Sequence, residues 1–116
     1  MKVVIGARAR RDIFILLSVS RDQFGAVAQQ RYRALLEQAI ADIAENPSRR
    51  GVVRLEEVAD DDIWLYHARH ARPRLPVAHR VGRPRHVIAF RVRQDRLEVI
   101  RVLHDAMDLP RRLSEV

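Results

Sequence analysis

The chain has 116 residues, of which 22 are Lys or Arg and 15 are Asp or Glu, giving a formal net charge of +7 at pH 7. That length suits one small domain spanning residues 1–116, and an apolar fraction of 47% is enough to build a core, which excludes wholesale disorder. The absence of cysteine excludes disulfides and thiolate chemistry and is compatible with a reducing cytosol.

Lys2 to Ile5 reads as a short, β-branched first strand. From Ala9 to Phe24, the spacing of Ile13, Leu16, Leu17 and Phe24 predicts a helix. Gly25 breaks it, as a residue able to take positive φ where one helix hands over to the next. The second helix carries one apolar stripe, Tyr32, Leu35, Leu36, Ala39, Ile40 and Ile43, with Gln29, Arg33, Glu37, Gln38, Asp42 and Glu45 read as helix formers or solvated groups between them. Asn46-Pro47 ends it, because proline lacks a donor and disfavours helix at the preceding residue. Two antiparallel helices result, a hairpin.

After Pro47 the period changes. Val53 and Leu55 hint at a strand before Asp60-Asp61-Asp62, and Ile63 to Arg74 fits helix or strand equally. Val77 to Val81 is expected to be a short strand. His86 to Arg93 alternates, placing Ile88, Phe90 and Val92 on one face and Ala89, Arg91 and Arg93 on the other. Leu97 to His104 is apolar on both faces, with Leu97, Val99 and Leu103 on one and Ile100 and Val102 on the other, so it is expected at the centre of the sheet. Gln94-Asp95-Arg96 serves as the hairpin turn, and Asp108 to Leu113 as a short terminal helix. The fold class is therefore α+β: a strand, then a helical hairpin packed on one face of an antiparallel sheet whose other face is open.

No apolar run exceeds Ile13 to Leu17, and Val3-Val4-Ile5 is too short for the core of a signal peptide, so the expectation is a cytoplasmic protein without a membrane span. Twenty-one of the 22 basic residues are Arg. Their distribution is uneven, for Arg69 to Arg96 holds nine Arg against the single acid Asp95. An acidic partner is the expectation that follows.

Four segments resemble the ParE toxins of the RelE/ParE superfamily, from bacterial type II toxin–antitoxin systems. They are Arg11-Asp12-Ile13 leading to Phe24-Gly25; Ala28 to Pro47 with Tyr32; Pro84 to Val92, with Phe90 where the family usually has Tyr; and Glu98 to Asp108. The last, which includes Arg101-Val102-Leu103-His104, is the most specific. Residues Arg50 to Arg74 match poorly. The resemblance implies a β-α-α-β-β-β order, a ParD-like cognate antitoxin, a hetero-oligomer with it, DNA gyrase as target and a role in plasmid stabilisation.

The RelE and YoeB relatives share this fold and cut mRNA on the ribosome, which keeps a second reading open. Such cleavage needs a base, cationic stabilisation of phosphate and an acid. Arg80, Arg91 and Arg101 supply cations, His86 and His104 an acid or base, and Glu56 or Glu57 a base. Against this, Asp105 follows His104 where the relatives carry an aromatic, and no aromatic lies beyond Phe90. The bland alternatives are that His104 satisfies Asp105 or Asp108 and that His86 caps or pairs at a strand start.

His67 and His70 lack a third ligand at convincing spacing, Asp60-Asp61-Asp62 reads as a solvated loop, and Ser18 and Ser20 have no triad partners, so no metal or cofactor is expected. Arg91 and Arg93 are expected on the open sheet face, with Arg80, Arg83 and Arg85 approaching it, as a surface for an acidic antitoxin tail. Phe14, Leu17, Tyr32 and Leu36 are expected to be partly exposed beside the hairpin, as a groove for an amphipathic partner helix. Only Trp64, Tyr66 and Phe90 could stack on bases near the arginines, a thin supply for single-strand binding.

Overall fold

The computed structural model describes residues 1–56 and 62–114. Strand β1 (Lys2–Ile5) leads directly into α1 (Ala7–Phe24), and α2 (Ala26–Glu45) returns antiparallel to it. Gly25 makes the turn at φ 94°, left-handed backbone that a side chain would resist. Its N–H bonds the Arg21 carbonyl of α1 and its carbonyl accepts from Gln29 of α2, so a single residue closes one helix and opens the next.

The short strand β2 (Val53–Arg54) precedes β3 (Trp64–His67), and β4 (His86–Arg93) and β5 (Arg96–His104) follow before α3 (Leu109–Ser114). The sheet runs β1-β5-β4-β3-β2, antiparallel except that β1 lies parallel to β5. β5 is thus internal, as its two apolar faces require. Gln94 and Asp95, both at positive φ, form the two-residue turn between β4 and β5, the backbone twist that tight hairpins favour.

Three expectations change. Val77–His79 is a turn of 3-10 helix rather than a strand, because Pro76 lacks a donor and the His79 N–H closes back on the Pro76 carbonyl. The segment Ile63 to Arg74 is divided: β3 comes first, then a 3-10 stretch, Ala68–Arg74.

The third change is in β5. Ala89 pairs with Arg101 but Phe90 pairs with Val99, so Ile100 is an extra residue that reverses the alternation. Leu97, Val99 and Val102 accordingly join Ile88, Phe90 and Tyr66 beneath the helices, while Ile100 and Leu103 pack on the opposite side. That opposite side is not open throughout. Leu55, Ile63, Ala89, Leu103 and Leu113 form a second, smaller core, with α3 supplying Leu113.

Two carboxylates, Asp12 half-buried and Asp42 buried, brace these layers. Beyond Ile5, β1 no longer pairs with β5, and Asp12 of α1 takes over that stretch of edge. Its carboxylate accepts from the Val102 N–H at 3.0 Å and from Arg101 Nε and Nη2 at 2.7 and 3.0 Å. On α2, Asp42 is not solvated but 1% exposed. It accepts from Gln38 at 2.8 Å, and it pairs with Arg74 at 3.0 Å and more loosely with Arg49 at 3.7 Å. Asp42→Ala removes these charged hydrogen bonds while leaving both arginines able to reach water, so the expected loss is about 2 kcal/mol of stability. Urea unfolding will register it as a lower midpoint at unchanged slope.

Candidate partner-binding cleft

A cleft of about 690 Å³ lies between the Gly25 end of the hairpin and the loop preceding β4. Leu16, Val19, Phe24 and Val27 make one wall apolar. Phe24 is 74% exposed, a large apolar side chain left uncovered by its own fold. Arg80, Arg83 and Arg85 make the facing wall basic, Arg31 adds a cation from α2 beside Val27, and no acid is among the described residues that line the cleft. At its sheet end lie Tyr32, His86 and His104.

That end is built from strand register. His86 and His104 stand opposite each other in the β4–β5 pair, rings edge to face at 5.4 Å between centroids. The Tyr32 hydroxyl from α2 accepts the Arg85 N–H at 3.1 Å and shares a hydrogen bond with His86 Nδ1. Burial, reinforced by His104, lowers the His86 pKa to about 4, while burial raises that of Tyr32.

Asp105 does the remaining tying. Arg85 Nε reaches it at 2.9 Å and Arg85 Nη2 at 2.8 Å, and His67 Nε2 at the end of β3 donates at 2.9 Å. These two partners, Arg85 foremost, hold the Asp105 carboxyl well below the usual carboxylate range, and Asp105 in turn raises the Arg85 pKa. His104 therefore does not satisfy Asp105. Its Nδ1 lies 3.6 Å from that carboxylate but accepts the Ala106 N–H at 3.1 Å, and an acceptor nitrogen forms no ion pair there.

The basic residues expected on one surface fall into two groups. Arg80, Arg83 and Arg85 border the cleft on the helical side of the sheet. Arg91 and Arg93 alternate with Phe90 and follow Ala89, which puts them on the opposite side. There Arg91 pairs with Glu98 at 2.7 Å, lowering the Glu98 pKa. Arg80 spends Nε and Nη2 on the carbonyls of Leu75 and Pro73, which shapes the loop.

Of the expected apolar groove residues, Leu17 and Leu36 are buried between the helices at 3% exposure each, because both lie on the inward stripe. Phe14 is exposed but does not border the cleft, and Tyr32 does so with its hydroxyl engaged.

The residues of the nuclease reading converge only in part: Arg80 borders the cleft with His86 and His104, but Arg91, Arg101 and Glu56 do not. His86 and His104 meet, whereas Arg101 is held by Asp12, and Arg91 sits five residues along β4, roughly 16 Å from His86. His67 and His70 are not paired ligands: His70 stacks on Tyr66, and Gly51 at φ 100° passes so close that a Cβ would meet its ring at 3.0 Å. Among the described residues, no group of three His, Cys, Asp or Glu is placed to hold a metal. Glu57, Asp60 and Asp61 lie outside the described residues.

Arg31 escaped the sequence reading. Its signal was present, since Phe24, Val27, Ala28 and Arg31 follow i, i+3, i+4, i+7 spacing, but Gly25 interrupts the run between two helices. The buried Asp42 carried no such signal.

Residues 3–109 match the family described as ParE toxin of type II toxin-antitoxin system, parDE. The chain belongs to this family. No curated protein matches it. As a ParE toxin it is the toxin member of a type II pair, and the family implies a cognate antitoxin as its partner. No helix among the described residues is long and apolar enough to cross a membrane.

The imidazole environments set a pH dependence for this ParE toxin. His86 and His70 both have lowered pKa values, His70 chiefly through burial, so each binds fewer protons when folded than when unfolded. Stability contributed by their neutral forms is complete above the unfolded His range near pH 6.5 and is lost as pH falls, for His86 down to about pH 4. Asp105 adds a further loss only below the ordinary carboxylate range. His86→Gln is expected to flatten the decline between pH 6.5 and 4 without removing the part due to His70, as measured by chemical denaturation across that range.

Proposed function

We propose that this ParE toxin inhibits DNA gyrase by binding it in the cytoplasm, and that its ParD-like antitoxin neutralises it by placing an acidic, amphipathic segment in the cleft. One observation carries the antitoxin half: an exposed apolar wall and a basic wall face each other with no acid among the described lining residues. An amphipathic helix satisfies both walls at once, burying its apolar stripe against Phe24 and Val27 while its carboxylates meet Arg31 and Arg83. Charge complementarity of this kind speeds encounter and fixes register. The product is a hetero-oligomer of toxin and antitoxin, and such a pair serves to stabilise the plasmid that encodes it.

Binding rather than RNA cleavage is favoured because Arg91 and Arg101 are committed to carboxylates away from the histidine pair. His86, neutral near pH 7, also lacks the charge of a general acid.

Purified toxin is expected to block gyrase supercoiling, with activity restored by its antitoxin; unimpaired supercoiling at growth-arresting concentrations overturns the target. Arg83→Glu is expected to weaken antitoxin binding by about 1–3 kcal/mol, and Arg91→Glu on the opposite side by less. Titration calorimetry giving the reverse order would move the interface to the other face of the sheet.

A further inference from the structure

The sheet end of the cleft holds hydrogen-bond donors with no acceptor in the fold. In His86, Nδ1 is assigned as the acceptor from Tyr32, because the hydroxyl oxygen already accepts the Arg85 N–H and its hydrogen has no other acceptor among the described residues. In His104, Nδ1 accepts from the Ala106 N–H. A neutral imidazole bears one hydrogen, so both rings carry it on Nε2. Neither Nε2 has a hydrogen-bond partner among the described residues.

Contrast His67, held in the same tautomer by the Arg69 N–H on Nδ1, whose Nε2–H is consumed by Asp105. The fold thus sets three histidines alike and supplies a carboxylate to one.

Three arginines that line the cleft with the other two have no carboxylate partner among the described residues. Arg31 and Arg83 are exposed and have no ion pair among the described residues. Arg80 is hydrogen-bonded to neutral carbonyls only, which leaves its charge in place. Arg85 alone is neutralised, by Asp105.

We propose that the Nε2–H groups of His86 and His104, with Arg31 and Arg83 beside them, form a carboxylate-binding notch at the sheet end of the cleft. A carboxylate accepts at two oxygens and so answers two neighbouring N–H donors on rings 5.4 Å apart, as Asp105 already answers His67 and Arg85 at the same strand end. Charge-assisted bonds of this kind are the strong ones, and the half-buried setting of His86 limits competition from water. The apolar wall adjoining the notch favours a carboxylate carried on a peptide over a nucleic-acid phosphate.

Occupancy has a signature that packing alone lacks. An anion against the imidazoles favours their protonated form and offsets the desolvation that lowers the His86 pKa. The other groups acting on His86, namely His104, Asp105, His67 and Asp12, stay in place, so its titration moves upward when the notch is filled.

The test is imidazole 15N–1H NMR of the intact toxin, titrated with sodium acetate against chloride at constant ionic strength. Saturable shifts are expected at His86 and His104 and not at His67, His70 or His79, together with an upward-moving His86 titration. Arg83→Gln, on an exposed loop and harmless to folding, should weaken acetate binding about two- to fivefold. His104→Gln should abolish the His86 response.

Absence of saturable shifts, or equal shifts at all five histidines, overturns the notch. Shifts produced by a single-stranded oligouridine at concentrations where acetate produces none overturn its assignment to carboxylates. The inference does not depend on where the antitoxin docks: an antitoxin that binds tightly yet leaves acetate in place moves the antitoxin from the cleft and leaves the notch standing.

Discussion

The carboxylate of Asp105 ties the ends of three neighbouring strands together. It follows directly on β5, receives His67 from the end of β3, and binds Arg85 from the approach to β4. Its low pKa measures how strongly those donors hold it. Everything on the cleft's sheet end is aligned by this contact. With Arg85 held, its N–H meets Tyr32, Tyr32 meets His86, and His86 faces His104 across the register. A toxin that must present a fixed surface to its antitoxin gains from such a chain, because ordering the groups in advance lowers the entropy lost on binding.

The helical hairpin makes the complementary contribution. Its inward stripe, Leu35, Leu36, Ala39 and Ile43, is fully buried against the sheet, which anchors the end remote from Gly25. Near Gly25, apolar side chains outnumber the surface available to cover them. Phe24, Val27 and Val19 are left facing solvent, a cost that a folded chain carries when the surface has a partner. Asp12 and Asp42 keep this division in place, one fastening α1 to the edge of β5 and the other fastening α2 to the segment after β3.

The arginines show why a charge count does not describe a surface. Those between Arg69 and Arg96 look uniform along the chain, yet the fold uses them in three ways. Arg72, Arg74 and Arg80 bind carbonyls or Asp42 and shape the loop. Arg91 is paired across strands with Glu98. Arg80 and Arg83, joined by Arg31 from a helix with nearly balanced charge, turn their charge on the cleft without an acid among the described residues to offset it.

Local pattern was sufficient for the helices, the β4–β5 hairpin and the terminal helix, since each is decided by hydrophobic period, by proline and glycine, and by turn residues within a few positions. The four matched segments were likewise sufficient for the family. Which side chains of β5 share a face was not legible, because the extra residue at Ile100 reverses the alternation, and nothing in Leu97 to His104 marks it. Nor was the burial of Asp42, or the pairing of Asp105 with His67 and Arg85 instead of His104, since both depend on residues brought close from distant segments. A sequence by itself therefore determined the helices, the β4–β5 hairpin, the family and the sign of the surface charge. Only tertiary structure decided which arginines and histidines share a cleft, because that depends on register and on long-range ion pairs that no local spacing encodes.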